Sequence, residues 1–121
     1  MSLPAARMTP GIARHFVRDA LQATDIEISF VETVELLTTE LVTNVIVHVG
    51  SASEVVIRAE DDTVRVEVTD PADRPPQRAE PATDAPHGRG LVIVDRLADA
   101  WGVVPSPDHG KTVWFEVRTS S

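Results

Sequence analysis

An α+β fold, a two-layer sandwich with helices on one face of a mostly antiparallel sheet, is what this sequence predicts, and three observations predict it. Two helical patterns come first, over residues 9–24 and 30–49. A pair of alternating segments, Ser53 to Glu60 and Thr63 to Asp70, follows through a two-residue turn. A second pair, Trp101 to Val104 and Lys111 to Arg118, closes the chain after one more helix, and helices grouped this way cover one face of an antiparallel sheet.

The totals set the outer bounds. With 121 residues and 42% hydrophobic content the chain suits a single domain, 1–121, with one core. The absence of cysteine removes disulfides, thiolate zinc sites and thiol catalysis together, and it fits a reducing cytoplasm, the expected location. No apolar run reaches the length of a membrane span, and Met1-Ser2-Leu3-Pro4 carries no basic-then-apolar signal pattern, so a soluble protein is expected. A net charge of −8, with Lys111 the single lysine, is poor equipment for a nucleic-acid backbone, where affinity comes from clustered Lys and Arg. One nucleotide remains within reach, because Mg²⁺ and helix N-terminal amides supply positive potential locally.

Thr9-Pro10 starts the first helix, with threonine at the cap and proline at the first helical position, and Ile12, His15, Phe16, Ala20 and Leu21 repeat at helical spacing as far as Thr24-Asp25. His15 reads as a core-edge histidine. The second helical pattern runs from Phe30 to Val49 without Gly or Pro, too long for a strand despite its β-branched residues. Ser29 and Glu32 have the spacing of a capping box, and Gly50 is placed to end the helix. In the hairpin, Val64, Val66 and Val68 alternate with Arg65, Glu67 and Thr69, which packs one sheet face and wets the other, and Asp61-Asp62 suits the tight turn. The same parity puts Asp70 on the packed side, where a carboxylate is costly unless something satisfies it. It caps a turn or accepts a hydrogen bond from a ligand.

From Pro71 to His87 the composition changes, with five of the nine prolines, and a long exposed loop is expected. Gly88-Arg89-Gly90 follows, then Leu91 to Ala98 as a helix. Glycines at such a junction let a backbone approach an anion, or simply make a turn. Trp101 to Val104 is a strand, Pro105 to Gly110 a turn, and in the last strand Val113, Phe115 and Val117 share a face.

The second helix carries the chemistry. At 3.6 residues per turn Glu40 and Asn44 are neighbours, Thr43 lies beside them, His48 is one turn further on, and Leu37, Leu41 and Val45 line the adjoining flank. An amide oxygen at the margin of a buried stripe is a hard ligand suited to Mg²⁺, and a carboxylate there can activate a hydroxyl or a water. The plainer alternative is an ordinary wet helix face.

Three boxes occur in a fixed order: Glu40-Leu41-Val42-Thr43-Asn44 on a helix, Asp70 at the end of a strand, and Gly88-Arg89-Gly90-Leu91 after the long loop, with Gly110-Lys111-Thr112-Val113-Trp114 closing the chain. Over nearly its whole length the chain resembles the GHKL (Bergerat-fold) ATPases shared by gyrase, heat-shock chaperones, histidine kinases and MutL. It looks most like the small anti-sigma-factor serine/threonine kinases among them. The resemblance implies ATP and Mg²⁺ as cofactors, Asn44 as the metal ligand and Glu40 as the base acting on a partner's Ser or Thr hydroxyl. It also implies Asp70 as acceptor of the adenine amino group and a lid over about 71–90. Thr43, His48, Gly88, Arg89, Gly90 and Leu91 are implied as further nucleotide contacts, and Thr112 as support for the adenine end from an irregular strand start. The implied partners are a sigma factor and an anti-anti-sigma antagonist, and the wet strand face adds a homodimer to the assemblies to expect. One departure matters: after Asp70 the chain reads Pro71-Ala72-Asp73, where the family pattern has glycines, which stiffens the start of the lid. A non-catalytic, ATP-binding partner-switching module is therefore the alternative function.

Overall fold

The computed structural model describes residues 2–3, 9–48, 53–70, 92–105 and 110–119, with the backbone alone at 2–3 and 46–48. The elements in order are β1 (Ser2–Leu3), α1 (Thr9–Gln22), α2 (Ile28–His48), β2 (Ser53–Glu60), β3 (Thr63–Asp70), a short α3 over 92–97, β4 (Ala100–Pro105) and β5 (Lys111–Arg118). The strands form one sheet in the order β1-β2-β3-β5-β4, all neighbours antiparallel. This is the expected α+β sandwich, extended at one edge by the two residues of β1. The proline-rich loop, Gly50 and most of the turn before Gly110 lie outside the described residues.

The pleat of β3 decides which face is which. Val64, Val66, Val68 and Asp70 are buried while the residues between them are half-buried. Across the ladder Val55 stands opposite Val68, and Phe115 and Val117 stand opposite Val66 and Val64. These side chains meet Val31, Val34, Leu37, Leu41, Val42 and Val45 of α2 and Ala13, Val17 and Leu21 of α1 in one core. The long helix packs on β3 and β5, and α1 packs on α2 and β2.

Two details at the helices differ from the sequence reading. In α1 the buried row is Thr9, Ala13, Val17 and Leu21, a strict four-residue ridge of mostly small side chains that allows close approach to α2. Ile12, His15 and Ala20 face outward, so His15 is an exposed histidine and not a core-edge one. In α2 the first carbonyl to accept is that of Glu27, from the amides of Phe30 (3.0 Å) and Val31 (3.3 Å). Ser29 therefore lies inside the first turn, its hydroxyl donates to the Glu27 carboxylate at 3.4 Å, and the Ser29–Glu32 capping box does not form. The two helices are tied by the Arg18 guanidinium, which donates through both Nε and Nη2 to the two oxygens of the buried Glu35, the latter at 2.9 Å. That fork holds the Arg18 pKa above its ordinary value.

Turn chemistry matches expectation. Asp61 takes the left-handed conformation (φ 51°) that a two-residue hairpin requires and that aspartate tolerates. The carbonyl of Asp62 accepts from the amide of Thr119 at 2.7 Å, which stitches the turn to the end of β5. Gly110 enters β5 at φ 75°, a backbone state that favours glycine.

The sheet face away from the helices has its own layer. Trp114 lies across Gly102, where a Cβ would come 2.9 Å from the indole Nε1. Arg65 stacks on the same ring at 4.2 Å and pairs with Glu67 (3.0 Å) and Glu116 (2.9 Å). Truncating Phe115, which is fully buried, with Phe115→Ala is expected to cost about 3–5 kcal/mol in urea unfolding. Gly102→Ala is expected to cost about 1–3 kcal/mol by the same measurement, with a change in tryptophan emission as the indole is pushed off the strand.

Candidate functional site

A buried carboxylate at the end of a central strand is the strongest polar feature on the helix-facing side. Asp70 is 4% exposed, and the alternation that buries three valines before it leaves it no other face to occupy. The pairing of Glu54 with Thr69 sets Ser53, also buried, beside it at the next rung. On the other side the register places Lys111 directly opposite, its ammonium 3.9 Å from Asp70 Oδ2. Of this pair the carboxylate lies inside and the lysine at the rim, their side chains being 6% and 45% exposed.

Chain connectivity brings the polar face of α2 to the same end of the sheet. Four residues, 49–52, join His48 to Ser53, so the two are at most about 18 Å apart. Asn44 sits one turn before His48, about 6 Å along the axis. Glu40, Thr43 and Asn44 are all half-buried, and they border the buried Leu37, Leu41 and Val45. The Asn44 amide is a donor that fits a hard cation such as Mg²⁺, which keeps several waters and takes its remaining ligands from phosphate oxygens, and the Glu40 carboxylate one helical turn away can act on a hydroxyl.

The other residues singled out from sequence divide into two groups. His48 ends α2 with its side chain outside the described residues, and Gly88, Arg89, Gly90 and Leu91 are outside them altogether. Thr112 does not have the irregular strand start expected for it. It lies in regular register within β5, opposite Thr69, and the two hydroxyls are 2.8 Å apart. Because β5 has no irregular start, parity turns Thr112 to the face with Trp114 and Glu116, away from Asp70.

Sequence reasoning missed Lys111 and Ser53 as neighbours of Asp70. The signal for Lys111 was present: it is in phase with Val113, Phe115 and Val117, so an ordinary strand had to point it inward. Which residue of β3 it would meet depended on register, which no local pattern encodes. A hollow of about 330 Å³ opens at the far end of β3 among Arg58, Asp61, Asp62, Arg65 and Glu116. Of its two arginines Arg65 is engaged by Glu67 and Glu116, and the hollow lies at the opposite end of β3 from Asp70.

After the proline-rich stretch, α3 is fastened to β4. Trp101 Nε1 donates to Asp95 at 2.9 Å, and the amide of Arg118 donates to Asp99, which fixes the path from α3 into the strand pair. Among the described residues no helix is long and apolar enough to cross a membrane.

A family model for the histidine kinase-like ATPase domain matches residues 3–117. No curated protein matches the chain. Since Thr112 faces away from Asp70, Thr112→Val is expected to change nucleotide affinity less than about twofold in titration calorimetry. It is expected to lower stability by only about 1 kcal/mol through loss of the Thr69 hydrogen bond.

Proposed function

The chain belongs to the family of histidine kinase-like ATPase domains, and from that premise we propose that it is an ATP-binding anti-sigma regulator. In this reading it sequesters a sigma factor and phosphorylates an antagonist protein on Ser or Thr. What supports it above all is Asp70, an inward carboxylate at the end of the central strand, with the half-buried Glu40–Asn44 face of α2 tethered near the same end.

Each side chain has a task that its chemistry suits. Asp70 accepts from the exocyclic amine of adenine, a contact that is worth most where water is excluded. The Asn44 amide oxygen would hold Mg²⁺, which would supply neutralisation of charge on the phosphates. Thr43 lies beside it on the helix. Glu40 takes the proton of the partner's hydroxyl as that oxygen attacks the γ-phosphorus, and ADP leaves. Phosphoryl transfer asks the protein mainly for position and electrostatics, and a helix anchored by six core residues provides position.

A second reading has one observation in its favour. The sequence after Asp70 is Pro71-Ala72-Asp73, with neither of the two glycines that the family pattern carries there. In that reading ATP sets the shape that binds a partner and no phosphate is transferred. In either reading a homodimer is the proposed assembly, with the wet sheet face available to it.

Two variants separate the readings. Asn44→Ala is expected to reduce Mg-dependent ATP affinity at least about tenfold in calorimetry, as loss of a metal ligand does. Glu40→Ala is expected to retain ATP binding and to lose labelling of a cognate antagonist by radiolabelled ATP, with rates down about a hundredfold or more. Wild-type chain that binds ATP and labels no cognate antagonist assigns the non-catalytic function instead.

A further inference from the structure

Asp70 does not stand alone at its end of the sheet, and its companion has no role in the reading above. Lys111 is the chain's single lysine, it is in phase with the core-facing residues of β5, and it occupies the rung directly opposite Asp70. The 3.9 Å between its ammonium and Oδ2 is within ion-pair range and too long for a direct hydrogen bond. The two groups thus present a donor and an acceptor side by side, slightly splayed, with the donor at the rim and the acceptor inside.

We propose that Lys111 is the second half of a base-recognition couple, its ammonium donating to N1 of adenine while the Asp70 carboxylate accepts from the N6 amino group. This rests on the nucleotide reading of the site. Adenine's pairing edge offers a donor at position 6 next to an acceptor at position 1, the complement of the Asp70–Lys111 order. Guanine reverses both, with an acceptor at position 6 and a donor at position 1. A carboxylate facing the guanine oxygen and an ammonium facing its N1–H leave two mismatched pairs, so the couple discriminates twice where Asp70 alone discriminates once. Lysine suits the task because its compact charge carries three donors that rotate to meet an acceptor. As a mere surface ion pair, half-exposed, it would contribute little.

The test is a cycle between one side chain and one ligand atom. Affinities of wild type and Lys111→Met are measured by calorimetry for Mg-ATP, Mg-GTP and 1-deaza-ATP, in which carbon replaces N1. Wild type is expected to lose about tenfold on going from ATP to 1-deaza-ATP, as deletion of a charge-assisted hydrogen bond does. Lys111→Met is expected to show the same loss with ATP, no further loss with 1-deaza-ATP and a narrower preference for ATP over GTP, with an unchanged melting curve. Purine riboside triphosphate, lacking the amino group, is expected to weaken binding equally in both proteins.

Wild type that binds 1-deaza-ATP as tightly as ATP, or a Lys111→Met chain that still distinguishes them, overturns the role of Lys111 and leaves the nucleotide site standing. Folded wild type that binds neither ATP nor GTP overturns both.

Discussion

The packing of α2 on β3 is the constraint on which the rest depends. The valines at 64, 66 and 68 cannot leave the core without exposing their whole face, so the phase of β3 is fixed by hydrophobic burial. Asp70 inherits that phase. Its inward position is a consequence of three apolar neighbours two, four and six residues earlier, and the cost of holding a carboxylate there is met by the same burial that forms the sandwich. On the helix side, the buried row from Val31 to Val45 fixes the rotation of α2, and with it the margin on which Glu40 and Asn44 lie. Core and site are therefore one arrangement seen from two ends.

Much of this was legible in the sequence because it is periodic. The hairpin from Ser53 to Asp70 matches its expected bounds residue for residue, since alternation and the Asp61-Asp62 turn specify it locally. The extent of α2 was legible for the same reason. Features that failed are those decided by a neighbour in space. The capping box at Ser29 lost to a helix start at Glu27, and the α1 face followed the ridge that fits α2 and left the larger Ile12 outside. The irregular strand start expected at Thr112 gave way to regular pairing with Thr69. Lys111 opposite Asp70 and Arg18 against Glu35 are both long-range pairs, invisible until the register and the helix packing exist.

The two ends of β3 contrast in how they treat charge. At the turn end, Arg65 meets two carboxylates and an indole in solvent, a network that neutralises itself on the wet face. At the other end a single ammonium at the rim faces a carboxylate that water hardly reaches. The first arrangement is closed on itself, whereas the second, with its ammonium half-exposed and its carboxylate inside, contributes little as an ion pair and keeps both groups turned toward a ligand.

The two tryptophans divide the sheet between them. Trp101 is opposite Phe115 on the helix side and hydrogen-bonded to Asp95, whereas Trp114 lies on the reverse side between bare glycine backbone and a guanidinium. With no tyrosine in the chain, ultraviolet emission comes from these two indoles, one per side. The molecule thus carries a pair of intrinsic optical sensors, and replacing either with phenylalanine leaves a single-colour record of events on the opposite surface.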